Sequence, residues 1–311
     1  MQPNHQPQEA SRYSARYGSS RKTIAILEAI CAVIFWGGSF IATKVALRDV
    51  SPVTVVWLRF AIGVAILGMA VRLRRQISVP AGRDIGYFAL LGFLGITFHQ
   101  WLQSTGLKTA QATTTAWIVA TTPIFIAALG WLVLKERLRW VQASGILLAA
   151  IGVLMVVTRG DLTSLSAGRF GTEGDFLVLV SALNWAVFSI LSRRGLRKFP
   201  ATQMMLFVMG FGWLFTSLLF FAGPGLREIT RLSLPGWLGV GFLGIFCSGL
   251  AYIFWYDALQ VLPVAQAGAF VYLEPFITLV VAAVVLGEIV TLASLVGGGV
   301  ILLGVWMVQR S

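Results

Sequence analysis

Apolar stretches long enough to cross a bilayer follow one another almost without interruption along this chain, and that pattern leaves little choice of fold. A hydrocarbon core about 30 Å thick needs about 20 mostly apolar residues per helix, because backbone in lipid must satisfy its own hydrogen bonds. Ten such stretches occur, at 24–47, 53–71, 85–107, 110–134, 140–157, 174–192, 201–222, 236–259, 264–286 and 291–308. Their joints are short and carry stop signals such as Ser51-Pro52, Phe199-Pro200 and Leu262-Pro263. Only 12% of the residues are charged, against roughly 25% in soluble domains, so no separate soluble domain is expected. The reading is an all-α membrane protein with one membrane domain, preceded by a disordered, basic cytoplasmic tail over residues 1–23. The first apolar stretch is too long for a signal-peptide core and lacks a small-x-small cleavage site, so it is read as a retained helix.

The net charge of +12 does not point to nucleic acid, because the basic residues lie in short clusters between apolar stretches and form no continuous face. With the N-terminus inside, the tail and the clusters Arg72–Arg83, Lys135–Arg139, Arg193–Lys198 and Arg310 fall on one side. Arg48, Lys108, Arg159, Arg169, Arg227 and Arg231 fall on the other, the minority side. Such a bias is the positive-inside rule, and it puts both termini in the cytoplasm of a cell whose plasma (bacterial inner) membrane holds the protein. Cys31 and Cys247 lie inside apolar stretches and offer neither a disulfide framework nor metal-ligand spacing. The expected partners are the bilayer and a small molecule, with no metal, cofactor or nucleic acid.

The chain also repeats itself. Gly-Phe-Leu-Gly-Ile stands at 92–96 and again at 241–245. An offset of 152 then pairs Leu107 with Leu259, Pro123 with Pro275, Glu136 with Glu288, Gly145 with Gly297 and Gly152 with Gly304. The unit is five helices, 24–158 and 174–308. Because five is odd, the second copy enters the membrane upside down. Inverted repeats are the architecture of secondary transporters, with the binding site at mid-membrane between the halves.

With these residues in view, the chain resembles the EamA-type transporters of the drug/metabolite transporter superfamily over residues 24–308. The resemblance rests on Trp36-Gly37-Gly38-Ser39-Phe40, Leu58-Arg59-Phe60 and, in each half, a mid-helix proline, a later Glu and two glycines. Those are Pro123, Glu136, Gly145 and Gly152, then Leu273-Glu274-Pro275, Glu288, Gly297 and Gly304. It implies a ten-helix exporter of amino acids, other metabolites or cationic drugs. Amino acids, aromatic ones included, are the first expectation.

Polar and aromatic stripes mark the faces that avoid lipid. Trp36, Ser39, His99, Gln103, Trp117, Asn184, Trp185, Tyr252, Trp255 and Tyr272 are the candidates to line a substrate cavity; each aromatic taken singly is equally at home in a membrane core. Pro123 and Pro275 each deprive a carbonyl four residues earlier of its partner and are hinge candidates, or static kinks. Glu274, a carboxylate at mid-depth, is a functional candidate by default. With His99 and Arg59, its expected partners, it forms the set that would couple transport to protons. For His99 the alternative is a hydrogen bond to a neighbouring helix, and for Arg59 snorkelling. Glu136 and Glu288 are read as favouring the positive ends of the helices that follow them, and Lys44 as snorkelling. Gly239-Val240-Gly241-Phe242-Leu243-Gly244 matches a dinucleotide fingerprint but lies inside an apolar helix, so it is read as close helix packing. An intramembrane enzyme would need a nucleophile with its base, and the chain has one His inside its spans and no G-x-S-x-G.

Overall fold

In the computed structural model of the chain, residues 6–75, 80–135, 139–161 and 171–309 are described, with side chains from Arg21 onward except those of Leu134, Val264 and Ala265. Ten helices long and apolar enough to cross a membrane stand among them. They are α1 (Gln6–Ala46, with its apolar span at Arg21–Ala46), α2 (Pro52–Leu73), α3 (Gly82–Gly106), α4 (Ala112–Val133) and α5 (Trp140–Val157). The second half supplies α6 (Glu173–Leu196), α7 (Ala201–Ala222), α8 (Leu234–Val261), α9 (Gln266–Leu286) and α10 (Leu292–Gln309). The tail expected over residues 1–23 falls for the most part outside the described side chains, although the backbone of α1 is already helical from Gln6.

Local chemistry explains where the helices begin and end. Pro52 opens α2 behind an extended Ser51, a position where a missing N–H costs nothing. A capping box starts α6: Thr172 Oγ1 accepts from Asp175 N at 3.1 Å and Asp175 Oδ2 accepts from Thr172 N at 2.8 Å. The inner helices of the repeat stop in the same way in both halves. Lys135 (φ 54) ends the helix of α4 and Gly287 (φ 65) that of α9, each left-handed and each at the repeat offset of the other.

The helices pack across the two halves. Helix α1 lies against α8 and α9, α2 against α7 and α8, and α3 against α6 and α7. Helices α5 and α10 form a pair of their own, held close by glycines. A Cβ on Gly152 would lie 2.7 Å from the Gly297 carbonyl oxygen, and one on Gly145 would lie 2.6 Å from that of Gly304. Without a hydrophobic force between helices in lipid, such backbone approach is what binds them. The fingerprint-like glycines behave as expected in part: Gly239 abuts the Ala42 carbonyl and Gly244 abuts Ile62, whereas Gly241 faces open space.

Two interruptions recur in each half. Helices α3 and α8 carry π-helical stretches, Phe93–Phe98 and Leu243–Leu250, on or beside the repeated Gly-Phe-Leu-Gly-Ile. A π turn widens the helix and leaves carbonyls available to other donors. Asn184 Nδ2 donates to the Leu94 carbonyl at 2.7 Å, and Trp36 Nε1 donates to that of Cys247 at 3.2 Å. Helices α4 and α9 break just before their prolines. The Val119 carbonyl that Pro123 cannot serve receives Thr122 Oγ1 at 2.7 Å. The Val271 carbonyl before Pro275 receives Glu274 N through a 3-10 turn over Val271–Leu273. Each proline thus leaves a compact, satisfied break, not a frayed one.

Candidate substrate cavity

The breaks in α4 and α9 face each other across a cavity of about 290 Å³ between the halves. Its walls include Trp36, Ser39 and Phe40 of α1, Arg59 of α2, His99, Gln100 and Gln103 of α3, and Trp185 of α6. Tyr252, Trp255 and Tyr256 of α8 complete one side; Thr122 with Pro123 and Tyr272, Glu274 and Pro275 complete the other. Most residues singled out from the sequence therefore meet in one place, both prolines included.

Two do not line it. Trp117 is wholly buried, edge-on to Phe276 with ring centroids 5.4 Å apart and close against Gly298. It fills the junction of α4, α9 and α10. Asn184 turns its amide to the π-helical Leu94 carbonyl. The stripe argument failed for both because a helix face that avoids lipid can serve a neighbouring helix as well as a cavity. Gln100, on the same polar face of α3 as His99 and Gln103, lines it, and so does Tyr256, which was not among the candidates; Tyr256 sits one turn beyond Tyr252, a signal that was available.

The wall chemistry is uneven. Trp36, Tyr252 and Trp255 form an aromatic cluster, with Trp36 5.7 Å from Tyr252 and 5.3 Å from Trp255 between centroids. His99 lies 4.7 Å from Trp185 and 3.1 Å from the Ser181 carbonyl through Nδ1. Arg59 is buried; its Nε donates to Ser248 Oγ at 3.1 Å and Nη1 to Gln100 Oε1 at 3.1 Å. The ion pair expected between Glu274 and Arg59 or His99 is not formed: among the described residues no hydrogen bond or ion pair engages the Glu274 carboxylate, whose backbone carbonyl accepts from Thr278 Oγ1. The guanidinium is drawn instead to the hydroxyl and amide of α8 and α3.

One membrane face of the cavity is tied shut. Glu288, beyond the end of α9, accepts from Ala112 N at 2.7 Å, Thr113 N at 3.1 Å and Thr113 Oγ1 at 2.9 Å. The carboxylate thus caps α4 of the opposite half, and not α10 as the sequence suggested. Three donors at the start of α4 outbid one helix dipole. Lys44 does not snorkel: it donates to the Ala110 carbonyl at 2.5 Å and lies 3.9 Å from Glu288. On the same face Glu228 takes Ser51 N, Ser51 Oγ and Thr54 Oγ1 at 3.0, 2.7 and 2.5 Å. Asp49 takes Ser233 N and Oγ at 2.9 and 2.6 Å, and those two bonds hold its carboxyl below the usual range. Glu136, the repeat mate of Glu288, lies outside the described residues.

Toward the other face the walls part. Residues Ala112–Ile118 of α4 are buried, whereas Val119, Ala120 and Pro123 are half-exposed. In α9 it is the start of the helix, through Val271, Tyr272 and Glu274, that is half-exposed, and Thr278 beyond it is buried. Since α4 and α9 run in opposite directions, both gradients point the same way. The cavity opens toward the end of α4 and the start of α9.

Against known proteins, the profile of the EamA-like transporter family matches twice, over residues 23–158 and 172–310. The chain belongs to the EamA-like transporter family. Its two matches coincide with the two inverted five-helix halves. A profile of solute carrier family 35 also matches residues 102–222. An uncharacterized transporter of Archaeoglobus fulgidus is 26% identical over 88% of this chain and 93% of its own. A probable terminal-alkyne amino-acid exporter of Streptantibioticus cattleyicolor is 27% identical, covering 92% and 93%. A probable amino-acid metabolite efflux pump of Salmonella typhimurium is 26% identical, covering 90% and 92%. A solved crystal structure superposes with a TM-score of 0.60 over 93% of this chain and 96% of its own at 24% identity, which speaks for the fold. This member of the family is accordingly a multi-pass membrane transporter.

Proposed function

We propose that this transporter exports small metabolites by alternating access, amino acids first among them, aromatic ones included. The observation that carries the reading is the cavity at the paired helix breaks: aromatic on one side, with a carboxylate that has no partner among the described residues on the other and a sealed face beyond. About 290 Å³ is at the small end of ligand pockets, which run roughly 300–1,000 Å³; it suits one amino acid and not a nucleotide sugar. The names of two relatives, an amino-acid exporter and an amino-acid metabolite efflux pump, support the same class. The basic clusters around Arg72–Arg75 and Arg193–Lys198 lie on the open face, which by the positive-inside rule is the cytoplasmic side of the cell membrane. The cavity is then loaded from within. Trp36, Ser39, His99, Gln103, Trp185, Tyr252, Trp255 and Tyr272 bind the substrate, Pro123 and Pro275 are the hinges, and Glu274 is the site at which a proton exchanges for substrate.

The test is uptake of labelled Phe, Trp and Thr into liposomes holding the purified protein, with and without an imposed pH gradient. Saturable flux of at least one is expected, driven by the gradient in the wild type and uncoupled from it in Glu274→Gln. Flux indifferent to the gradient removes Glu274 as the coupling site. Absence of flux for every amino acid overturns the substrate class.

A further inference from the structure

The guanidinium of Arg59 is an unsolved electrostatic problem in this fold. It is buried at 5% exposure inside a membrane span, and an arginine cannot shed its proton there. Buried charges are normally met by an opposite charge. Here, among the described residues, no carboxylate comes within ion-pair distance: the three ion pairs are Lys44–Glu288, Arg74–Asp257 and Lys198–Asp84. Its two hydrogen bonds, from Nε to Ser248 and from Nη1 to Gln100, go to neutral acceptors. They fix the side chain and leave Nη2 without a hydrogen bond among the described residues. Arg59 lines the cavity, beside Gln100, Trp36 and Tyr252. The two hydrogens of Nη2 and the second hydrogen of Nη1 remain to donate to an incoming carboxylate, in charge-assisted bonds stronger than those to neutral acceptors.

We propose that Arg59 is the anion subsite of the cavity, receiving the carboxylate of the carried molecule while its apolar part lies against Trp36 and Tyr252. The inference rests on the reading of the cavity as an amino-acid site, and it adds that a carboxylate is required. Ser248 and Gln100 are positioning residues for the fork. The second half of the repeat offers no equivalent charge: at the offset that pairs Trp36 with Trp185, Arg59 falls on Val208. One subsite per transporter follows, and with it one carboxylate per cycle.

The experiment is scintillation-proximity binding of labelled L-phenylalanine to the purified full chain, competed with 3-phenylpropionate, phenethylamine and L-phenylalaninamide. In the wild type, the amide and the amine, which lack the carboxylate, are expected to compete at least tenfold less well than phenylalanine. This comparison needs no variant. Arg59→Gln is expected to lower phenylalanine affinity at least tenfold, level it with the amide, and leave the amine unchanged. Arg59→Lys keeps the charge without the fork and should fall between. Equal binding of acid and amide by the wild type overturns the subsite and leaves the amino-acid reading standing. Uniform weakening of all ligands by Arg59→Gln in a protein that still elutes as a monodisperse peak overturns it too. Because phenylpropionate can be labelled and tested directly, the two readings separate: a wild type that binds it but not phenylalanine keeps the subsite and overturns the amino-acid reading. A wild type that binds neither acid overturns both.

Discussion

Replacing Glu288 by Gln should loosen the sealed face at one identifiable point, the start of α4. The first amides of any helix lack partners within the helix, and here Ala112 N and Thr113 N find theirs in the Glu288 carboxylate. Hydrogen bonds to a charged acceptor contribute about 1.5–3 kcal/mol each. A carboxylate at a helix N-terminus adds about 0.3–1 kcal/mol through the dipole. Gln keeps one acceptor oxygen and turns an NH2 toward donors, so the expected loss is about one charged bond plus the dipole contribution, roughly 2–4 kcal/mol. At 1.4 kcal/mol per factor of ten, opening of this corner becomes roughly 20- to 700-fold more frequent. Hydrogen–deuterium exchange, read on peptides covering residues 108–118, measures that opening directly. The amides of Ala112 and Thr113 should exchange faster by that factor, while those of α7, remote from the corner, stay as they were. Glu288→Ala should go further. Exchange within twofold of the wild type in both variants would sink the argument that this carboxylate holds the two halves together.

Other consequences are open to simpler measurements. Gly152→Val places atoms where the Gly297 carbonyl already stands 2.7 Å from a Cβ; overpacking of this kind costs about 1–3 kcal/mol, so the unfolding temperature in detergent should drop by several degrees and an unchanged value would count against the tight α5–α10 seam. The bidentate Arg74–Asp257 pair, at 2.7 and 2.6 Å but partly exposed at 33% and 23%, should show a double-mutant coupling of no more than about 1 kcal/mol. Asp49 gives a pH test. Its folded carboxyl is held below the ordinary value by the Ser233 bonds, so its contribution is present above about pH 3.9, the unfolded value, and is lost as pH falls through the lower folded one. Thermal stability of the wild type relative to Asp49→Asn should therefore narrow as pH falls below about 4; a gap constant in pH would refute the assignment. Trp117→Phe should lower stability by about 1–3 kcal/mol and leave substrate preference untouched, since the ring fills a junction and not the cavity.

Much of this molecule is legible in its sequence because lipid imposes few solutions. Span length, basic bias and a two-copy register need no tertiary knowledge, and they place Pro123 opposite Pro275 before any coordinate is seen. What escapes is whatever depends on which helix faces which. Nothing in Gly-Phe-Leu-Gly-Ile announces a π turn, because an α-helix and a π-helix draw on the same residues. Glu288 looked like a cap for the helix that follows it; only packing shows that α4 of the other half presents two free amides there. Arg59 and Glu274 looked like a pair because charges in lipid seek each other, and the reasoning omitted neutral partners such as Ser248 and Gln100 and a cavity between them.

The repeat has an energetic corollary. In a carrier made of two inverted halves, the inward- and outward-open forms arise by exchanging conformations between the halves. Were the halves identical, the two forms would be related by a two-fold rotation in the membrane plane, of equal free energy and equally populated. Every position at which the copies differ is then a weight on one side of that balance. Directly before the two prolines stand Thr122 in one half and Glu274 in the other, both on the cavity wall. Left-handed Lys135 answers left-handed Gly287, and a left-handed backbone costs Lys more than it costs Gly. Substitutions at such mismatched pairs are where a shift between the two forms is to be sought.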